Sequence, residues 1–353
     1  MAHRKTDRIP VNFRQGERAP EADPGTTALL AALRQAPGPV SGESLAARLG
    51  LSRAAIWKRV QRLKALGYEI AGEPRQGYRL LAAPDKLLPG EILAGLATRR
   101  FRGPVHAFSR ISSTNDYAKE LGRREAPEGT LVVAEAQEAG RGRLGRTWAS
   151  PAGVGLYVSL LLRPPLPPLE LPRLTLTVAV AVARALERTT GVRPGIKWPN
   201  DLLLEGRKLA GILTELETEA ERIRYLVVGL GLNVNTPVFP PELADTATSL
   251  YLATGRPHSR IRLLQAWLED FEALYELFLA RRFPEILAEW KARTVTLGRP
   301  ARVRQGEREL CGLAVEVDSD GALVLQVSGG ERVRVTSGEL APEPAEGCGG
   351  REG

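Results

Sequence analysis

The sequence predicts an α+β chain in three parts, and three observations lead there. Short amphipathic helices followed by a basic hairpin pattern fill residues 26–82. Strands and helices alternate from 84 to 295, and short alternating strands run over 297–342. The polar stretches 1–24 and 343–353 hold too few apolar residues to pack and read as disordered tails.

Composition narrows the function classes. The 353 residues are enough for several domains with their own cores. The two cysteines, Cys311 and Cys348, are far apart and outside any C-x-x-C spacing, which argues against a disulfide framework or structural zinc and fits the reducing cytoplasm. Even the most apolar stretch, "LTLTVAVAVARAL", is too short for a bilayer and ends in charge, so no membrane partner is expected. The net charge of +8 is concentrated. Residues 26–80 hold nine Lys/Arg against three acids, the electrostatic footprint of a nucleic-acid-binding module.

The first part is justified helix by helix. "TTALLAALRQ" places Leu29, Leu30 and Leu33 on one side. "SGESLAARLG" opens on Ser41, a good N-cap, and stops at Gly50. "LSRAAIWKRVQRLKALG" opens on Ser52 and spaces Ile56, Val60, Leu63 and Leu66 for burial, completing a helix-turn-helix. "YEIAGEPRQGYRL" then reads as a wing with Arg75 near its tip. Recognition helices read the major groove mainly from their N-terminal residues, which makes Ser52, Arg53, Ala54, Lys58, Gln61 and Arg62, with Arg75, the candidate DNA contacts. Binding through phosphates would be strongly salt-dependent, and paired half-sites imply a homodimer.

The central part carries the chemistry. "GTLVVAEAQ" (129–137) predicts a strand leading into "GRGRLGRTWASP" (140–151), and "GLYVSLLLR" (155–163) a strand leaving it. Three arginines and three glycines between Gly140 and Arg146 repel one another unless an anion lies among them, so the loop reads as a phosphate site. It is not a P-loop, because no G-K-[ST] follows. "IKWPNDLLLEGRKLAGILTELET" (196–218) predicts a hairpin turning at Glu205-Gly206, which sets Leu203 opposite Lys208 and makes Asp201 and Lys208 diagonal neighbours. "SSTND" (112–116) lies between a strand and a helix; it could cap the helix or offer neutral donors and acceptors to a polar, uncharged ligand. "GLGLN" lacks a third glycine and a following helix, so a dinucleotide fingerprint is discarded. His3, His106 and His258 support no Ser-His-Asp arrangement.

"SSTN", "EAQEAGRGRLGRTWASP", "KWPNDLLLEGRKLAGILTE" and "VVGLGLNVN" occur here in an order and spacing that resembles biotin–protein ligases, and with the winged helix in front the chain resembles their bifunctional form, which is also the biotin operon repressor. The resemblance implies a central mixed sheet like that of class II aminoacyl-tRNA synthetases and a C-terminal SH3-like barrel. It implies that Ser113, Thr114, Asn115 and Gln137 bind the biotin ureido and ring, and that Arg141, Gly142 and Arg143 close over the carboxylate and the adenylate. Lys208 would sit at the biotin carboxyl and the α-phosphate. Arg146, Trp148, Asn200 and Asn233 fall on the ATP side, and Asp201 joins Lys208 and Arg143 in catalysis. Biotin and ATP are the implied substrates, with Mg2+ arriving on ATP, biotinyl-5′-AMP as corepressor, and a biotin carboxyl carrier protein and operator DNA as partners. Leu144 stands where some members carry arginine, and "TPVFPPELADTATSL" (236–250), which resembles the adenylate-covering loop, has no tryptophan. Alternatives are a ligase with an idle winged helix, a lipoate-type ligase, and a biotin-sensing regulator without ligase activity.

Overall fold

The computed structural model describes residues 16–19, 23–73, 76–219 and 221–341. The expected N-terminal tail is partly structured. Glu17–Arg18 form a short strand (β1) and Pro24–Gln35 the first helix (α1), capped by Asp23. Sequence pattern cannot announce a two-residue strand, which exists here only because the central sheet offers it an edge.

The winged helix-turn-helix forms as its caps dictate. In α2 (Gly42–Leu49) the Ser41 side chain accepts from Ser44 N, and Gly50 ends the helix in the left-handed conformation that glycine adopts without a Cβ penalty. Ser52 caps α3 (Arg53–Leu66), which buries Ile56, Val60, Leu63 and Leu66. The wing is β2 (Glu69–Glu73) paired with β3 (Gly77–Ala82); its tip, including Arg75, lies outside the described residues. This domain docks on α4 (Pro89–Leu93), where Arg34 and Tyr68 both donate to the buried Glu91 carboxylate. The connecting stretch is pinned by Arg260, 2% exposed, whose guanidinium pairs with Asp85 at 3.0 Å and Glu135 at 2.6 Å.

The central domain is a mixed sheet in the order β1-β4-β5-β6-β10-β9-β8-β7. Its strands are β4 (Val105–Arg110), β5 (Leu131–Ala134), β6 (Gly155–Leu162), β7 (Gly195–Lys197), β8 (Asp201–Leu204), β9 (Arg207–Glu219) and β10 (Arg222–Asn233). Among the described strands of this sheet β4 and β5 run parallel and the other pairs antiparallel. Helix α5 (Thr114–Arg123) covers one face. On the other lie α6 (Leu171–Thr190), α8 (Arg260–Leu279) and α9 (Phe283–Arg293), with short α7 (Leu250–Thr254) leading into α8. Alternation along the strands divides the core: Leu226, Val228, Leu230 and Leu232 of β10 join the main core, while Tyr225 and Val227 pack beneath α5. Continuing along that second face, β10 carries Gly229, Gly231 and Asn233, so the side chains shrink where a cavity opens.

The C-terminal strands β11 (Pro300–Gln305), β12 (Arg308–Val317), β13 (Leu323–Gln326), β14 (Arg332–Val335) and β15 (Glu339–Leu340) form an antiparallel sheet in the order β14-β13-β12-β11-β15. It is locked to the central domain where Trp198 Nε1 donates to Gly321 O at 3.1 Å and Arg173 pairs with Asp320 at 2.5 Å. Among the described residues, no helix is long and apolar enough to cross a membrane.

Candidate functional site

All thirteen predicted site residues of the central domain line one cavity of ≈ 1160 Å³. Single-ligand pockets span about 300–1,000 Å³, so two substrates have room side by side.

One end is neutral. Ser113 does cap α5, accepting from Asp116 N at 3.3 Å, so the capping reading holds for that residue. Thr114 and Asn115 are buried and serve another purpose. Thr114 donates from its N (2.9 Å) and Oγ1 (3.1 Å) to Gln137 Oε1, while Gln137 Nε2 donates to Ser150 Oγ. Ser159 of β6 donates to Asn115 Oδ1 at 2.6 Å, and Asn115 Nδ2 donates to Glu215 Oε2 at 2.9 Å. The result is a fixed set of uncharged cavity-lining donors and acceptors, anchored from behind by the Glu215 carboxylate. Glycine is required beneath it: a Cβ on Gly229 would lie 2.2 Å from Asn115 Oδ1.

The middle is cationic. Glu205 (φ 51°) and Gly206 (φ 77°) make the tight two-residue turn expected, with Leu203 opposite Lys208. Lys208 Nζ lies 2.8 Å from Asp201 and 5.5 Å from the Trp148 ring centroid. Its backbone is gripped on both sides, Lys208 N donating to Thr246 O (2.7 Å) and Thr248 N to Lys208 O (2.9 Å), so the 236–250 segment is threaded onto β9. Trp148 lies over Gly231, where a Cβ would meet its ring at 2.5 Å, and its buried Nε1 has no hydrogen-bond partner among the described residues. Because Trp148 lines the cavity, that donor is open to a ligand there.

The arginines of the loop are not equivalent. Arg141 pairs outward with Asp116 at 2.6 Å, and Arg146 pairs with Glu339 of the C-terminal sheet. Arg143 turns inward and donates to Asn200 Oδ1 at 3.1 Å. Burial pushes its pKa below the ordinary value, with Asp201 and Glu339 opposing. Gly142 N donates to Arg146 O, and Leu144 holds φ 54° inside the loop's single 3-10 turn, a conformation costly for leucine. The neighbouring Asn200 Nδ2 donates to Ile212 O, and Asn233 Nδ2 donates to Thr248 O at 3.0 Å, holding the covering segment.

Several residues of the cavity escaped the sequence reading. Lys197, whose pKa is pushed down chiefly by burial, lines it and was in plain view in "KWPND". Phe239 and Leu243 bring apolar surface from the covering segment that lacks tryptophan. Gly229 and Gly231 were signalled by alternating glycines in an apolar strand, the mark of a close approach. Glu339 arrives from another domain, and nothing in the sequence announced it.

In the first domain, Arg53, Ala54, Lys58 and Gln61 are exposed along α3, with Ser52 at its start. Trp57 is 54% exposed beside them. Arg62 is turned back to Asp23 at 2.8 Å, so it bridges α3 to the start of α1.

Comparison with known proteins follows the same three-part division. Residues 26–79 match the HTH domain, 107–233 the Biotin/lipoate A/B protein ligase family, and 296–340 the Biotin protein ligase C terminal domain. The bifunctional ligase/repressor BirA of Bacillus spizizenii is 41% identical over 293 residues, covering 82% of this chain and 90% of that protein. Its Escherichia coli counterpart is 33% identical over 290 residues, covering 82% and 88%. The biotin protein ligase from Aquifex aeolicus, solved in complex with biotin and ATP, matches with a TM-score of 0.59 at 32% identity, over 67% of this chain and 97% of that one.

Proposed function

Because the chain belongs to the family of bifunctional biotin ligase/repressors, we propose that it activates biotin with ATP, transfers it to a lysine of a biotin carboxyl carrier protein, and represses biotin genes as a DNA-bound homodimer in the cytoplasm. The observation that carries the ligase reading is the cavity itself, which sets a neutral, hydrogen-bonding end beside Lys208 and Arg143.

In the first step a biotin carboxylate oxygen attacks the α-phosphorus of ATP. The bond to the β-phosphate breaks, and pyrophosphate leaves. Ser113, Thr114, Asn115 and Gln137 hold the ureido and ring, Lys208 neutralises charge between the carboxylate and the α-phosphate, and Asp201 aims the Lys208 ammonium. Arg143, with Asn200, follows the phosphate charge, while Trp148 and Phe239 supply flat apolar surface for the nucleotide. Among the described residues, no cluster of three His, Cys, Asp or Glu could hold a metal by itself. On this reading magnesium arrives with the substrate, riding on the ATP phosphates. In the second step the acceptor lysine, having lost its proton, attacks the acyl carbon, and AMP leaves.

Gly229→Ala tests the neutral end. Its Cβ displaces Asn115 from Ser159 and Glu215, so biotin binds roughly tenfold or more weakly, the cost of one mispaired buried polar group, as read by calorimetry. Undiminished affinity would remove Asn115 from the biotin site.

Repression is supported by the exposed α3 residues, and dimerisation by β9, whose Thr214–Glu219 stretch extends beyond β8 and, among the described residues, pairs with a strand on one side only. A gel shift on the biotin-gene promoter, with and without biotinyl-5′-AMP as corepressor, separates a working repressor from an idle winged helix. In that assay Lys58→Ala weakens binding at all sequences and lowers the salt slope by about 1. An unchanged slope would take Lys58 off the phosphate backbone.

A further inference from the structure

Three arginines crowd the Arg/Gly loop, and the protein itself supplies anions for two of them. Arg146 is held by Glu339. Arg141 Nη1 lies 2.6 Å from Asp116, and its Nη2 lies 3.6 Å from Glu215. Both carboxylates are fixed independently of the loop. Asp116 stands in the first turn of α5 and also binds Lys119 at 2.8 Å, while Glu215 on β9 binds Lys119 through one oxygen and Asn115 through the other. Burial works against the Asp116 charge, yet Lys119 and Arg141 hold its pKa below the ordinary value.

We infer that Asp116 is a positioning residue that straps the Arg/Gly loop through Arg141, so that Arg143 alone faces the reaction and the acyl-adenylate is retained until the acceptor arrives. This rests on the ligase reading above and adds to it a residue that need not touch either substrate. Arg141, on this view, acts as a fastener of the loop as well as a lining residue. Glu215 adds a weaker second pairing to Arg141 at 3.6 Å while accepting from Asn115, so the strapped loop and the neutral end of the cavity are linked through one carboxylate.

The test uses the full chain and two readouts: biotin-dependent pyrophosphate exchange, and the ratio of label on a bystander protein lacking a carrier domain to label on the carrier acceptor. Asp116→Asn is expected to keep exchange within about twofold and raise the bystander ratio about fivefold, the scale of a part-exposed ion pair. Asp116→Glu restores the low ratio. In the unaltered protein, raising salt from about 50 to about 500 mM raises the ratio in the same direction, because screening loosens the strap. A folded Asp116→Asn protein with an unchanged ratio overturns the proposal. Should that variant not fold, a ratio in the unaltered protein that stays flat with salt overturns it equally. Absence of exchange in the unaltered protein would instead strike the ligase reading.

Discussion

Lys208→Ala lowers biotin-dependent pyrophosphate exchange by about 10²–10³-fold, the usual loss when one preorganised charge-stabilising donor is removed from an active site. The size follows from how firmly the ammonium is placed. Its strand pairs with β8 through the Glu205-Gly206 turn, its backbone is bonded to Thr246 and Thr248, and its Nζ is aimed by Asp201 at 2.8 Å. In water a lysine near a phosphate is one cation among many counterions. Held between a tryptophan ring and a carboxylate, it needs no reorganisation when charge shifts to the phosphorus centre. On the proposed reading biotin is gripped mainly at the neutral end, so calorimetry should show biotin affinity changed by much less than the rate. Full exchange in the variant would remove Lys208 from the mechanism.

Arg143→Gly has the other large effect, and it falls on retention. Arg143 is the inward-facing arginine of the loop, bonded to Asn200 and buried enough to depress its pKa. On the proposed reading the loop without it keeps the Arg141 and Arg146 fastenings but loses its hold on the acyl-phosphate. Adenylate forms and escapes, and lysines of unrelated proteins are labelled at a rate roughly tenfold or more above the unaltered protein, as expected for a lost charge-assisted hydrogen bond. Unchanged acceptor selectivity, measured by mass spectrometry of a bystander protein, would contradict this role. The Arg143→Gly effect should exceed that of Asp116→Asn, since one change removes the grip and the other only loosens the strap.

Much of this was legible in the sequence, for local reasons. Ser41, Ser52 and Gly50 mark helix ends because capping is a matter of a few neighbouring residues. The meeting of Asp201 and Lys208 follows from the turn between them, with one irregularity in the ladder between Leu202 and Leu203. The "GLGLN" glycines lie in β10, and their use as a floor for Asn115 and Trp148 needed the sheet to be seen. What stayed hidden was relational. Arg141 and Arg146 look like phosphate ligands until Asp116, Glu215 and Glu339 are placed beside them by α5, β9 and the C-terminal sheet. The β1 strand was hidden for the same reason, since its pairing depends on the edge of β4.

The measurement that tests the central claim most directly is exchange of labelled pyrophosphate into ATP by the full chain, run with biotin, with lipoate and with neither. The account predicts exchange that requires biotin and is absent with lipoate. Exchange with lipoate alone would keep the fold and the chemistry but assign the neutral end of the cavity to the wrong substrate. No exchange from a folded protein that still binds biotin would contradict the account and leave a biotin-sensing DNA-binding protein.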